Sequence, residues 1–209
     1  MGRTDYNVSG GHFIVSLASV VNTTGNFINW DAVDSSDVDA NGDKVIKAGT
    51  IVALKNGGVF PRKDSAITLS GATETGGTGT YTASAAHGLK VGDIVDITGF
   101  TTGGYNVAKA KVATVPSTTT FTVTGLATLA DDNGGGTATS RAFGILLEGI
   151  TQSEKNRALN GQAVIKGGVI YDSLLPDSGE SGFDTFKTEL QADCPMGFQF
   201  EEYSDSRAS

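Results

Sequence analysis

The stretch "GTIVALKNGGVFPR" at residues 49–62 has the pattern of a β-hairpin. Two apolar runs flank an Asn-Gly-Gly turn, and Asn and Gly tolerate the positive φ angles that tight hairpin turns require. An isolated hairpin is only marginally stable in water, so it belongs in a larger sheet. The next apolar run of similar character, "RAFGILLEG", begins only at residue 141. We therefore expect this run to be the partner strand, displaced by what lies between.

The intervening residues 66–140 differ in composition, with 18 Thr and 13 Gly but only five acidic and three basic residues. Four strand candidates end at Gly, Pro or Ser/Thr turns: "GTYTASA", "VGDIVDITG", "YNVAKAKVATV" and "TFTVTG". This pattern predicts an all-β module inserted in a hairpin loop, because loop tips tolerate inserted domains. Its predicted core consists of Tyr81, Val95, Ile97, Val112, Phe121 and Val123.

The alternating pattern returns after residue 141 in "RAFGILLEGI", "GQAVIKGGVIYDSLLP" and "MGFQFEEY". One helix is predicted in "SGFDTFKTELQAD", with a cap from Ser181 and Asp184 and an apolar face of Phe183, Phe186 and Leu190. The predicted fold class is mainly β: a compact β domain with one short helix, interrupted by a small antiparallel sandwich-like or barrel-like module. Predicted boundaries are an N-terminal arm or strand at 1–30, a discontinuous core at 31–65 plus 141–209, and the module at 66–140.

Composition excludes several classes of protein. A net charge of −8 argues against nucleic acid binding, because neutralising phosphates requires clustered Lys and Arg. A single Cys excludes an intrachain disulfide. No apolar run approaches the roughly eighteen residues of a membrane span, and the N-terminus lacks the apolar segment of a signal peptide. We expect a protein that binds neither nucleic acid nor membrane and stays in the host cytoplasm until it assembles with a partner.

One segment is similar to the start of a calcium-binding loop. "DVDANGD" places Asp37, Asp39, Asn41 and Asp43 around a glycine turn. The twelfth position of such a loop would be Ala48 instead of the bidentate Glu that completes the ligand shell. The sequence therefore favours an Asp/Asn/Gly turn, with a cation site as the weaker alternative.

No catalytic arrangement can be assembled from the two histidines. His87 is near Asp93 and Asp96 in the sequence, but no nucleophile motif accompanies it, and His12 has no polar companion. The glycine-rich "GGTGTY" and "DDNGGGT" lack the Lys-Ser/Thr and helix of a phosphate-binding loop. The prediction is a protein that is not an enzyme and needs no cofactor.

Large apolar residues near the N-terminus suggest a binding surface. The candidate contact residues are Phe13, Val15, Leu17, Phe27 and Trp30. Apolar residues that precede any evident core often mark a partner-binding segment, and an extended arm could add a strand to a partner's sheet. The alternative is that these residues fold back on their own sheet. The polar segment from residue 22 to residue 44 is expected to be an ordered loop that docks its aromatic residues.

The segments outside the module resemble the lambda-type head decoration proteins of tailed phages. The similarity lies in the order of "AGTIVALKNGGVFPRK", "AFGILLEGI" and "GQAVIKGGVIYDSLLP", followed by a short helix and a final strand. The module is similar to a small β domain found in assorted phage virion proteins, through "ASAAHGLKVGDIVDITG", "YN" and "PSTTTFTVTG".

This resemblance implies a mechanical function. Such proteins form homotrimers on the outside of the expanded head, at three-fold and quasi-three-fold positions, and clamp the major capsid protein against the pressure of packaged DNA. A rival reading is a tail-fibre or baseplate adhesin whose module binds a host glycan. That reading requires exposed aromatic platforms, and the candidates are Tyr81, Phe100 and Tyr105.

Overall fold

The computed structural model describes residues 14–16, 22–154, 162–194 and 197–202. These residues form a mainly β protein with one α-helix, so the predicted fold class is confirmed. The chain divides into two compact units. Unit 1 comprises Met1–Ala53, Gly58–Lys63 and Ala142–Ser209, and unit 2 comprises Leu54–Gly57 and Asp64–Arg141.

Seventeen strands and one helix make up the described residues. In chain order they are β1 Ile14–Ser16, β2 Asn22–Ile28, β3 Val45–Ile46, β4 Ile51–Lys55, β5 Gly58–Pro61, β6 Ala66–Thr75, β7 Thr78–Ala83, β8 Ile94–Thr98, β9 Ala110–Lys111, β10 Thr114–Ser117, β11 Thr120–Thr124, β12 Gly136–Ser140, β13 Ala142–Leu146, β14 Ile150–Thr151, β15 Gln162–Ile165, β16 Gly168–Tyr171, α1 Phe183–Asp193 and β17 Phe198–Glu201.

Unit 1 is built on a closed five-stranded barrel in the order β13-β15-β2-β5-β4. The hairpin of β4 and β5 turns at Asn56 and Gly57, which both have positive φ (55° and 73°) as the Asn-Gly signal predicts. Strand β13 runs antiparallel to β4, with Ile145 opposite Ile51. The predicted pairing of "RAFGILLEG" with the hairpin is therefore confirmed.

The barrel also contains a strand that the sequence did not predict. Residues 22–28, expected to be part of a docking loop, form β2, which pairs antiparallel with β15 and parallel with β5. The loop prediction was wrong because "NTTGNFI" contains turn-forming residues, and its strand conformation is decided by two neighbouring strands instead of by its own alternation. Strand β1 pairs with β16. The described parts of the predicted N-terminal arm are therefore strands of unit 1.

Helix α1 covers one part of the barrel core. Its predicted apolar face is confirmed, since Phe183, Phe186 and Leu190 are buried in one cluster with barrel residues such as Ile145. The predicted side-chain cap is wrong. The helix begins after Gly182, whose φ is 91°, and no side chain caps the first turn. Glycine adopts this left-handed conformation without a Cβ penalty, so it redirects the chain in place of a capping hydrogen bond.

Unit 2 contains one seven-stranded sheet in the order β10-β11-β7-β6-β12-β8-β9, with all neighbours antiparallel. All six residues of its predicted core are buried in a single cluster. Strands β6 and β12 were not predicted. They pair with each other, and Ala66 lies opposite Thr139. The first and last strands of unit 2's long segment therefore lie side by side, as insertion into a loop requires.

Candidate functional site

The surface of unit 1 contains a cavity of about 230 Å³. It lies between the segment that leads into β4 and the 3-10 turn at Pro176–Gly179. Its polar wall carries Asp37, Lys63, Thr50 and Asp177, and its apolar wall includes Ile46. The chain brings these residues together from positions more than 120 apart, which no local sequence motif could have indicated.

The buried Asp177 is fixed in the wall of this cavity. It is 4% exposed, and its Oδ2 accepts a hydrogen bond from the backbone N–H of Ile51 at 2.6 Å. Lys63 Nζ lies 2.5 Å from Asp37 Oδ2 at the side of the cavity. Hydrogen bonds and an ion pair thus hold two carboxylates at the cavity before any ligand arrives.

The weak calcium candidate folds as a turn. Asp39 Oδ1 accepts hydrogen bonds from the backbone N–H groups of Asn41 (2.8 Å) and Asp43 (3.0 Å), and Gly42 has a φ of 86°. Asp37, the first ligand of the hypothetical loop, pairs with Lys63 instead. Within the described residues, no group of three His, Cys, Asp or Glu side chains could hold a metal ion. The structure therefore supports the turn and not the cation site.

Two of the predicted capsid-binding residues have described side chains. Phe27 is 56% exposed on β2 and lies opposite Gly58 of β5, which has no side chain to cover the ring. Trp30 is half-buried in a 3-10 turn and packs against the barrel core. Phe13 and Leu17 lie outside the described residues, as does the side chain of Val15. Phe27 is therefore the predicted contact residue with an accessible apolar surface.

His87 has a structural role in unit 2. Its Nδ1 accepts a hydrogen bond from the backbone N–H of Leu89 at 2.9 Å, so the proton resides on Nε2, which lies 3.2 Å from the carbonyl oxygen of Thr120. The ring is 3% exposed and packs edge-on against Phe121. Both ring nitrogens are thus engaged in closing a loop. His12 lies outside the described residues.

The aromatic residues that a glycan-binding module would need are inside unit 2. Tyr81 packs against Phe121, Phe100 and Tyr105 with ring centroids 5.3–6.0 Å apart. These rings are between 0% and 4% exposed. Burial raises the pKa of Tyr81 to about 12, because the ionised form would lose its hydration. The expectation that Tyr81, Phe100 and Tyr105 form exposed platforms is therefore wrong.

A buried ion pair that the sequence did not reveal holds α1 on the barrel. Arg62 donates from Nε and Nη2 to the two carboxylate oxygens of Glu189 at 2.9 and 2.7 Å. Glu189 Oε2 also accepts the backbone N–H of Ala142 at 2.6 Å. The guanidinium lies 4.8 Å from the centre of the Phe186 ring. This network has the geometry of a structural anchor, since every group in it is engaged with protein.

Cys194 and Lys166 lie near the end of α1. Burial raises the pKa of the Cys194 thiol, which disfavours the reactive thiolate. Burial lowers the pKa of Lys166, whose ammonium donates to the Phe143 carbonyl and lies 3.0 Å from the centre of the Phe143 ring. The prediction that Cys194 is a buried apolar residue is confirmed, at 7% exposure.

No protein-family model matches the chain, and no curated protein is significantly similar to it. No helix among the described residues has the length and apolar character to span a membrane. The function is therefore inferred from the residues themselves and from their arrangement in the two units.

Proposed function

We propose that this protein is a decoration protein of a tailed-phage head. It attaches to the outside of the expanded head as a homotrimer at three-fold and quasi-three-fold positions, and its partner is the major capsid protein. The observation that supports this proposal most strongly is the placement of the three motif segments that resemble the family. Although residues 62 and 141 are far apart in the sequence, the three segments supply β4, β5, β13 and β15 of one closed barrel and the neighbouring β16.

A closed barrel suits a protein that bears load. Strands β4, β5, β2, β15 and β13 each have a neighbour on both sides, so no barrel strand has a free edge at which separation could begin. The Arg62–Glu189 anchor adds a buried cross-link between barrel and helix. Tension applied to this unit must break many hydrogen bonds together, which favours a clamping function.

Phe27 is the proposed contact residue on the barrel surface. Strand β2 already has both neighbours in the barrel, so residues 22–28 do not add a strand to a partner's sheet. Fully burying a Phe side chain contributes about 1.5–3 kcal/mol, which corresponds to roughly a 10- to 150-fold change in affinity at one site. Three copies on one trimer multiply this effect through effective concentration. A partner surface of about 800 Å² per contact would suffice for specific attachment.

A binding assay tests the contact. Heads from the source phage that lack this protein are mixed with the wild-type chain, Phe27→Asp or Val91→Asp, and bound protein is measured after sedimentation. Val91 is 67% exposed on unit 2 and provides a matched apolar-to-acidic control. We expect Phe27→Asp to reduce occupancy strongly and Val91→Asp to bind normally. Equal binding of Phe27→Asp and wild type would reject Phe27 as the contact.

Antibody labelling of virions tests the location. Gold label distributed over the head, and a trimer mass for the protein on heads or in solution, are the expected results. Label confined to the tail tip would reject the decoration function and favour the adhesin reading.

A further inference from the structure

Thr50 presents an unsatisfied hydroxyl to the cavity of unit 1. The residue is 4% exposed, and its backbone is fully engaged: its N–H donates to Lys47 O, and its carbonyl accepts from Leu146 N. The side-chain hydroxyl makes no hydrogen bond to a described residue. The fully enclosed polar side-chain atoms without partners in the described residues belong to Tyr105 and Ser140, so the Thr50 hydroxyl keeps access to the cavity it lines. A buried hydroxyl without a partner is unfavourable, and a ligand with a hydrogen-bond donor would relieve this.

The charges around the cavity favour a cation. Lys63 neutralises Asp37 through their ion pair. Asp177 and Glu180 remain as acidic groups against the exposed Lys47, which leaves a net charge of −1 on the lining. The described acidic residues do not form a metal-binding group. The complementary ligand is therefore an organic cation that carries one positive charge.

The volume and the walls limit the size and shape of this cation. The cavity of about 230 Å³ is smaller than the roughly 300–1,000 Å³ of sites that hold drug-sized ligands, so it suits a single side chain. Apolar wall residues such as Ile46, Pro61 and Pro176 can cover the methylene groups of a long side chain while its charged end reaches the acceptors.

We propose that the cavity around Thr50 binds the guanidinium group of an arginine side chain supplied by a protein partner. A guanidinium has five donors in a planar fork and is weakly hydrated, so it can donate to the Thr50 hydroxyl and to separate carboxylates at the same time. An ammonium is a compact, strongly hydrated charge that loses more hydration in the same position. An arginine from any protein partner would satisfy these groups, so the assignment is independent of the proposed attachment to a phage head.

Amide-detected NMR titration of the full chain tests the assignment. The probe is N-acetyl-L-arginine amide, which mimics an arginine within a protein. The controls are the lysine amide, the neutral citrulline amide of nearly the same shape, and free L-arginine. We expect saturable shifts at residues around Thr50 with a dissociation constant in the millimolar range, about −4 kcal/mol or weaker. The lysine amide should bind less tightly, and the citrulline amide should show no saturable shift.

Variants distinguish the site from general surface binding. Thr50→Val and Glu180→Gln should each weaken binding about two- to tenfold, Thr50→Ser should retain it, and Glu148→Gln on an exposed position should bind like the wild type. Glu180 is exposed, so its variant tests the site even if Thr50→Val fails to fold. Equal binding of the citrulline amide, no saturation up to about 20 mM, or unchanged binding by Glu180→Gln would overturn the proposal. Tighter binding of free L-arginine than of its amide would overturn the assignment to a protein partner.

Discussion

Replacing Glu189 with Gln should destabilise unit 1 more than any other single change of one atom type in the Arg62–Glu189 network. The ion pair is 7% and 5% exposed at its two side chains, so the remaining guanidinium would be buried without a counter-charge. The amide of Gln would also present a donor to one guanidinium N–H. Breaking a buried pair from one side costs about 3–5 kcal/mol. At about 2–4 °C per kcal/mol for a protein of this size, the midpoint of thermal unfolding should fall by about 6–20 °C.

Trp30 makes this loss measurable in unit 1 specifically. It is the single tryptophan of the chain and packs against the barrel core, so its fluorescence reports unfolding of unit 1 and not of unit 2. Urea unfolding followed at Trp30 gives the free energy of each variant. Glu148→Gln, at an exposed position of the same unit, should stay within about 0.5 kcal/mol of the wild type.

A double variant separates the charge from the packing. In Arg62→Met with Glu189→Leu, both charges are replaced by apolar groups, and such replacements are often neutral or stabilising. This variant should recover most of the lost stability, except for about 1–3 kcal/mol from the Ala142 N–H that loses its acceptor. If Glu189→Gln differed from Glu148→Gln by less than about 0.5 kcal/mol, the network would not be the anchor described here.

Three further outcomes are expected. Gly144→Ala should destabilise unit 1 by about 1–3 kcal/mol in the Trp30 assay, because a Cβ there would lie 2.4 Å from Ile165 O, whereas Gly179→Ala has open space and should be nearly neutral; equal effects would contradict this. Hydrogen bonds from the Thr102 and Gly134 backbones lower the pKa of Asp132, so its carboxylate stabilises unit 2 above the ordinary pKa of 3.8, and the contribution is lost as the pH falls through the lowered pKa. Asp132→Asn should therefore be less stable than the wild type at pH 7 by near-UV circular dichroism, and the difference should disappear in acid; a constant difference at all pH values would refute the linkage. The Cys194 thiol should react slowly with a disulfide reagent in the native protein and quickly in urea, and rapid native reaction would show that it is not buried.

Local signals explain which elements could be predicted. The hairpin at Asn56 and Gly57 was predictable because its turn requires two positive φ angles that these residues adopt easily. The apolar face of α1 follows from helical spacing alone. Strand β6 was missed because its register shifts between Leu69 and Gly71, which breaks the alternation that marks a strand.

Long-range features could not be predicted from one sequence. Glu189 is 127 residues from Arg62, and neither residue has a local pattern that indicates burial. The cavity similarly depends on Asp177 meeting Thr50 and Ile51 after the barrel has closed. Of the predicted contact residues, the alternation near Phe27 did not reveal that its strand belongs to the barrel, because that depends on the partners β15 and β5.

The side-by-side pairing of Ala66 and Thr139 has a consequence for engineering the chain. Paired residues in an antiparallel ladder have Cα atoms about 5 Å apart, the separation that a two-residue turn spans. The connecting backbone therefore sees residues 66–139 as a long excursion that returns to its starting point, and closing even a long excursion adds only about 0.6 kcal/mol per doubling of its length. This position is a natural graft point: a short turn, or a foreign domain with adjacent termini, could replace the whole segment without lengthening the gap that the chain must bridge.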